Sequence, residues 1–242
     1  MRRSIFLTAL AMAAASSAIA QDGFKFGLKT GLNVTTFNGN DNTWLEREEG
    51  FVRESTFKPG AHVGVSMNLG FGRHGNSSLT ADVLFSMKGS GYKYNDYYFV
   101  NETDTVAKQI DVKESVTRLC VDVPILYRYR TNFGLYGEAG IYISIAVGTS
   151  LSNDDPRATD LYMEIEEAQY KPLDLGFTAG AGWISDGGLG LGVRGFTGFL
   201  DQYETWDDPL DQFDLGDVGQ KWNFGFQLSG MYYFGWGGRS RR

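Results

Sequence analysis

The sequence contains a single cysteine, Cys120, so it can form no internal disulfide and has no CxxC pair for a metal site. Proline is scarce, with 5 residues in 242, and only two histidines are present. Basic residues do not predominate: 22 Lys and Arg stand against 29 Asp and Glu, whereas nucleic-acid-binding proteins carry a basic patch. No run of 18 apolar residues occurs, which argues against a membrane protein built from helices.

Glycine and aromatic residues, by contrast, are abundant, with 32 Gly, 17 Phe, 13 Tyr and 5 Trp. This composition is typical of proteins with many strands and tight turns. The mean hydropathy of -0.25 is compatible with a membrane barrel, because alternating strands average to mild polarity. A length of 242 residues suits a single all-β domain with a large core.

The N-terminus has the features of a secretory signal peptide. Arg2 and Arg3 provide a positive charge, Ile5 to Ala15 form an apolar stretch, and Ala18-Ile19-Ala20 resembles a cleavage site. We therefore expect residues 1–20 to be removed and the mature chain to be exported.

Eight later segments alternate apolar and polar residues with the period of a strand, and turn residues bound each of them. We expect them to form one domain over residues 21–236, followed by a short basic tail at 237–242. The predicted strands are Phe24–Phe37, Phe57–Phe71, Ser78–Ser90, Val116–Tyr129, Phe133–Gly148, Leu173–Ile184, Leu189–Leu200 and Trp222–Phe234.

Long acidic connections alternate strictly with short links between these segments. Bacterial outer-membrane barrels show this alternation, with short periplasmic turns and long external loops. The pattern predicts an all-β fold, an eight-stranded antiparallel up-and-down transmembrane β-barrel in the cell outer membrane. An even strand number leaves the N- and C-termini both in the periplasm. The predicted outer loops are residues 38–56, 91–115, 149–172 and 201–221.

The two faces of each predicted strand differ in chemistry. One alternating set of positions holds no charged residue, His, Asn or Gln, and the opposite set holds every strand charge. A soluble barrel would bury the apolar set, whereas a membrane barrel would turn it to lipid. Aromatic residues such as Phe71 and Phe199 lie at the ends of the apolar faces, and aliphatic residues such as Val123 and Ile141 lie in the middle. This distribution matches interfacial girdles and favours the membrane barrel.

The charged set is expected to face the barrel interior, which in an eight-stranded barrel is just wide enough for side chains to fill. Buried charges cost several kcal/mol each unless they are paired and hydrogen-bonded, so we expect a plug of ion pairs. The alternative is a selective pore with excess positive charge on its wall. The predicted interior network consists of Lys29, Asp82, Lys88, Arg118, Asp122, Arg128, Glu138, Asp174 and Arg194.

Three segments resemble a known family: KFGLKTGLNVTTF at 25–37, LCVDVPILYRYR at 119–130 and GLYGEAGIYISIAVG at 134–148. They are similar to the PorT-like outer-membrane β-barrel proteins of Bacteroidota, often called porin family proteins. The clearest motif is Asp122-Val123-Pro124, where the family usually has Glu at the first position. The resemblance implies an eight-stranded barrel of the cell envelope. It implies little about activity, because the family shares a fold and has mixed roles.

The sequence predicts no enzyme. His62 and His74 are the two imidazole groups, and His62 is expected inside the barrel near Ser66 and Asp82. A lipid substrate could not reach such a group from the apolar face, and no GxSxG, HExxH or P-loop motif is present. We interpret His62 as a hydrogen-bonded interior residue and assign no catalytic residue, cofactor or metal ligand.

The predicted outer loops concentrate negative charge, and residues 201–221 are the densest, with seven acidic residues and one base. These carboxylates are simple solvated groups, or they contact a partner, or they share divalent cations with anionic surface lipid. Oxygen-rich loops suit Ca²⁺ or Mg²⁺, although no EF-hand spacing occurs. The candidate contact residues are Asp201, Asp207, Asp208, Asp211, Asp214 and Asp217.

Four functions remain open on the sequence. The first is a non-enzymatic outer-membrane barrel that acts through its loops or through partner proteins. The second is a small-solute or ion channel. The third is an accessory role in type IX protein secretion, which the PorT-like resemblance alone implies. The fourth is a soluble periplasmic lipid-binding barrel. The expected partners are outer-membrane lipid and cell-surface or secretion-complex proteins, with no nucleic acid.

Overall fold

The computed structural model describes residues 23–39, 54–71, 76–98, 108–153, 170–202 and 221–236. No helix within these ranges is long and apolar enough to cross a membrane. The predicted signal peptide and the predicted C-terminal tail lie outside the described residues. The strands are β1 Phe24–Gly39, β2 Glu54–Phe71, β3 Ser77–Tyr98, β4 Lys108–Arg130, β5 Leu135–Asn153, β6 Leu173–Ile184, β7 Leu189–Gly198 and β8 Lys221–Tyr233.

The eight strands form one closed antiparallel barrel. Each strand pairs with the next in chain order, and β8 pairs with β1 to complete the ring. Thr30 of β1, for example, lies opposite Val63 of β2 on one side and Gly230 of β8 on the other. Closure leaves no open sheet edge, which is the condition for strands to cross a hydrocarbon layer. The predicted eight-stranded up-and-down barrel is confirmed.

Strand alternation turns apolar side chains outward and polar side chains inward. In β1, Leu32 is 62% exposed whereas the next residue, Asn33, is fully buried. Val63 and Phe85 on the neighbouring strands are likewise largely exposed. The outer wall is therefore an apolar band, and the interior of the barrel is mainly polar.

Strands β3 and β4 are longer than the sequence predicts. Residues 91–115 were expected to form a long loop, but β3 continues to Tyr98 and β4 begins at Lys108, with Lys93 opposite Lys113. The prediction was wrong because it followed the charged residues of this stretch and passed over the alternation of Tyr92 and Tyr94, and of Ile110 and Val112, with polar residues. Their backbones still pair, and backbone pairing needs no apolar side chain.

Candidate functional site

All nine predicted interior charges lie inside the barrel, and none is more than 7% exposed. They form two layers that differ in height along the barrel axis. The lower layer, near the short links, consists of Lys29, Asp82, Arg128, Glu138 and Arg194. The upper layer, towards the long connections, consists of Lys88, Arg118, Asp122 and Asp174.

In the lower layer every carboxylate is held by two bases. Arg194 Nη2 lies 3.0 Å from Asp82 Oδ2 and 2.8 Å from Glu138 Oε1. Lys29 Nζ donates to Asp82 Oδ2 at 2.9 Å. Arg128 donates to Glu138 Oε2 through Nε at 2.9 Å and through Nη2 at 2.7 Å. The desolvation cost of these buried carboxylates is thus offset by charge-assisted hydrogen bonds.

Two hydroxyl groups close the lower layer into a circuit. Ser66 Oγ donates to Asp82 Oδ1 at 2.5 Å and lies 2.7 Å from the Tyr233 hydroxyl. Arg128 Nη1 donates to that Tyr233 hydroxyl at 3.0 Å. Tyr233 was not predicted, because the sequence signal was charge and an inward tyrosine carries none. We call this closed circuit the lower ring: Asp82, Arg194, Glu138, Arg128, Tyr233 and Ser66.

Glycines on β6 and β7 make room for the aromatic side chain that supports the lower ring. The Arg128 guanidinium lies 4.3 Å from the centre of the Tyr136 ring, a cation–π contact. The Tyr136 hydroxyl rests against bare backbone: a Cβ atom on Gly182 would lie 2.5 Å from it and one on Gly192 only 2.1 Å. A side chain at either position would therefore force the Tyr136 ring to move.

The upper layer joins one ion pair to a chain of neutral hydrogen bonds. Lys88 Nζ lies 2.7 Å from Asp122 Oδ1 and 5.1 Å from the centre of the Tyr142 ring. The Tyr142 hydroxyl donates to Asp174 Oδ2 at 2.8 Å, and Asn223 Nδ2 donates to the same oxygen at 2.9 Å. Asp174 is thus bound by neutral donors only.

The expected pairing of Arg118 and Asp174 with opposite charges was wrong. Within the described residues Asp174 forms no ion pair. Arg118 donates instead to the Gln202 side chain and to the Lys171 backbone carbonyl. The physical reason is that the described ends of two connections, residues 170–172 and 199–202, meet at the upper end of the barrel, where Lys171 N donates to Gln202 O at 2.8 Å. The acceptors that lie against Arg118 are therefore neutral: the Gln202 side-chain oxygen and the Lys171 carbonyl oxygen.

His62 uses both ring nitrogens inside the barrel. Nδ1 lies 2.6 Å from Asn33 Oδ1, and Nε2 lies 2.9 Å from Ser229 Oγ. Ser66, the nearest predicted hydroxyl partner, binds Asp82 and Tyr233 instead. The serine within hydrogen-bond distance of the His62 imidazole is therefore Ser229 and not Ser66, and both His62 and Ser229 are buried inside the barrel.

Of the candidate outer-loop residues, the structure describes only Asp201. Its Oδ1 accepts a hydrogen bond from Lys221 N at 3.1 Å, at the start of β8. In the described part of the chain no three His, Cys, Asp or Glu residues are grouped as a metal site would require. The other candidates, Asp207, Asp208, Asp211, Asp214 and Asp217, lie outside the described residues.

A closed barrel with an apolar exterior and a charged interior has the architecture of an integral outer-membrane β-barrel protein. Residues 19–204 match the family described as "Outer membrane protein beta-barrel domain", and the chain belongs to this family. Membership places it among the barrels of the outer membrane. No curated protein sequence matches the chain significantly.

Several solved outer-membrane proteins have a similar fold. Neisserial surface protein A is 10% identical, with a TM-score of 0.44 over 88% of this chain and 100% of that one. OprG from Pseudomonas aeruginosa is 10% identical, with a TM-score of 0.42 over 88% of this chain and 96% of that one. Ail from Yersinia pestis is 10% identical, with a TM-score of 0.37 over 88% and 99%. With TM-scores below 0.5, these similarities support no conclusion about this chain.

Proposed function

We propose that this protein is a non-enzymatic outer-membrane barrel whose interior is closed by paired side chains, and that it acts through its long connections or through partner proteins. The lower ring is the observation that carries this proposal. Its members come from six of the eight strands and bind one another across the interior.

A solute that passed the lower ring would have to break several charge-assisted hydrogen bonds at once. Each such bond contributes about 1.5–3 kcal/mol to stability. Arg194 alone contacts two carboxylates, Asp82 and Glu138, so its displacement would remove one of the two bases that each of them binds. We infer that the resting protein conducts no ions, which distinguishes it from a channel.

The same architecture weakens the soluble lipid-binding alternative. A barrel that carries a lipid needs an apolar interior, and the described residues here bury ten charged side chains, the nine predicted ones and Lys221. Its outward face carries residues such as Leu191 at 62% exposure and Phe177 at 61%, which would form a large apolar patch in water. Outer-membrane lipid is the partner that this face fits.

The orientation of the barrel in the membrane rests on the lengths of its connections, and the finer family rests on the sequence resemblance. Short links on the periplasmic side would place both termini in the periplasm and the long acidic connections outside the cell. The three segments that resemble PorT-like proteins of Bacteroidota support that finer assignment. An accessory role in type IX secretion rests on this resemblance alone.

Planar-bilayer recording tests the closed interior. The purified protein is refolded into lipid, and its folded state is checked by the change in gel mobility on heating. We expect a conductance near background, with a general bacterial porin as the positive control. A steady, large, anion-selective conductance in the wild-type protein would overturn the proposal in favour of the channel.

A further inference from the structure

A lysine lies on the outward side of the barrel near the upper end of β2. Lys58 Nζ donates to Ser115 Oγ at 2.9 Å and also to Thr117 Oγ1. These two hydroxyl groups belong to the same alternating face of β4 as Leu119, which is 53% exposed, whereas Val116 between them is fully buried. The Lys58 ammonium group therefore lies on the outer surface, unlike the bases of the interior.

An irregularity in β2 explains why Lys58 faces outward. Strand alternation alone predicts an inward position for this residue. Between Phe57 and His62, however, β2 has one residue more than the opposing stretch of β3, and such a bulge changes the direction of side chains. Lys58 then crosses β3 at Gly89, where a Cβ atom would lie 3.3 Å from Lys58 Cδ. The bare backbone of Gly89 thus leaves room for the lysine to reach β4.

Two further lysines lie above Lys58 on the outward face. Lys93 of β3 and Lys113 of β4 are opposite each other in register, and both are exposed. Like charges that lie directly opposite each other destabilise a sheet. The register places Glu54 of β2 on the other side of Lys93, so this row holds one acid and two lysines. Within the described residues neither Lys58 nor Lys93 forms an ion pair. We call Lys58, Lys93 and Lys113 the lysine patch.

The lysine patch lies just above the apolar wall. On the outward face of β4, the exposed residues Leu119 and Tyr129 are ten positions apart. At about 3.4 Å per residue and a tilt of about 40°, this separation is about 25 Å along the barrel axis, which is the height of the apolar band in outer-membrane barrels. Beyond Leu119 the same face continues with Thr117, Ser115 and Lys113. In a bilayer that covers the apolar band, the patch is therefore level with the lipid headgroups.

We propose that the lysine patch binds the phosphate group of an anionic lipid in the outer leaflet of the outer membrane. Lysine ammonium groups bind phosphate as point charges, and clustered bases beside a membrane-embedded surface recognise anionic headgroups. The acyl chains of the same lipid lie against the apolar wall below, where Phe57 is 54% exposed. A phosphate beside Lys93 and Lys113 also offsets the repulsion between these two residues. The inference rests on the proposed function, because the leaflet depends on the orientation of the long connections.

Native mass spectrometry of the full chain tests this site. The protein is folded into phosphatidylcholine vesicles that contain a minor fraction of phosphatidic acid, and the folded barrels are then released with a mild detergent. The fraction of barrels that retain phosphatidic acid is measured as its content in the vesicles increases. Diacylglycerol with the same acyl chains lacks the phosphate and is the lipid control. We expect the wild type to retain phosphatidic acid and to lose diacylglycerol.

Charge-removing and charge-preserving variants identify the residues that bind the phosphate. Lys58→Gln/Lys93→Gln should weaken the retention of phosphatidic acid by about fivefold for each lysine removed. Lys58→Arg/Lys93→Arg is the matched control and should retain the lipid nearly as the wild type does. Lys25→Gln removes one positive charge at the opposite end of the barrel, near the short links, and should leave the retention unchanged.

Two results would overturn the proposal. The first is equal retention of phosphatidic acid by the wild type and by Lys58→Gln/Lys93→Gln. The second is equal retention of phosphatidic acid and diacylglycerol by the wild type, which would mean that the acyl chains alone bind. Lys93→Gln, at an exposed position, covers the case in which the double variant does not fold, and it should weaken retention by about fivefold.

Conductance of the same wild-type preparation separates this inference from the proposed function. A closed barrel that fails to discriminate the two lipids would overturn the lysine patch as a phosphate site and leave the proposed function standing. A steady conductance together with lysine-dependent retention of phosphatidic acid would overturn the closed interior and leave the lipid site standing.

Discussion

Arg194 on β7 joins two carboxylates that lie on other strands: its Nη2 is 3.0 Å from Asp82 Oδ2 on β3 and 2.8 Å from Glu138 Oε1 on β5. These partners are 112 and 56 residues away in the chain. One guanidinium therefore connects distant strands through the middle of the barrel. The lower ring therefore stabilises the barrel and also closes its interior.

Replacing Arg194 with methionine should destabilise the barrel strongly. The substitution keeps much of the side-chain volume but leaves Glu138 with one base and Asp82 with one base. Removing one member of a buried ion pair costs about 3–5 kcal/mol. Urea unfolding in lipid vesicles, followed by gel mobility, measures the loss. Arg194→Lys is the matched control and should lose less stability, since it keeps the positive charge. Equal stability of Arg194→Met and the wild type would contradict the stabilising role of the lower ring.

Adding a methyl group at Gly192 should also destabilise the protein. The Cβ would lie 2.1 Å from the Tyr136 hydroxyl, so the ring that supports Arg128 must move. Overpacking of this kind costs about 1–3 kcal/mol. Gly137→Ala is the control, because a Cβ there meets no atom within 4 Å. The double variant Gly192→Ala/Tyr136→Phe should recover part of the lost stability, because it lacks the hydroxyl. A Gly192→Ala protein as stable as Gly137→Ala would refute the contact between position 192 and the Tyr136 hydroxyl.

Placing an arginine on the outward face should impair insertion into lipid. Val63 is 58% exposed and lies in the aliphatic part of its strand. Val63→Arg should lower stability by about 2–4 kcal/mol if that position is near the bilayer midplane. Val63→Leu keeps the surface apolar and should fold as the wild type does. Comparable folding yields in vesicles for the arginine and leucine variants would argue against the membrane-facing assignment.

Removing the Gln202 side chain should loosen the upper end of the barrel. Gln202 is fully buried and accepts a hydrogen bond from Arg118, so Gln202→Ala leaves part of a buried guanidinium without a partner. The expected loss is about 1–3 kcal/mol, confined to this end. Amide hydrogen exchange at Lys171 and Gln202 should speed up while exchange in the lower strands stays unchanged. The exposed Asn132→Ala is the control, and unaltered exchange at Lys171 would contradict the prediction.

The acidic connection after β7 is predicted to bind divalent cations weakly. Calorimetry with Ca²⁺ should show a small, salt-sensitive heat for the wild type, because carboxylate oxygens are the ligands that Ca²⁺ prefers. An Asp207/Asp208/Asp211→Asn variant should lose most of it. If the variant and the wild type bind alike, these carboxylates are solvated groups only.

The strand number and the two faces were predictable from the sequence because side-chain alternation is local. Leu32 faces out and Asn33 faces in for the same reason that any two consecutive strand residues diverge. Nothing about the rest of the chain is needed for that inference. The burial of all nine interior charges follows from it directly, since each occupies an inward position.

The ends of the strands were less predictable than their middles. Outside the apolar band charged residues become frequent, so the periodic signal weakens. Lys93 and Lys113 lie opposite each other because their backbones continue the β3–β4 ladder. The predicted loop at 91–115 was wrong for that reason.

Only the closed barrel decided which charges meet. The sequence supplied the bases and the acids at inward positions, but the height of each along the axis depends on the pairing register of every strand between them. That register puts Arg194 between Asp82 and Glu138, and it leaves Asp174 among neutral donors. A charge selects its partner by distance in space, and in a barrel that distance is set by ring closure across strands that are far apart in the chain.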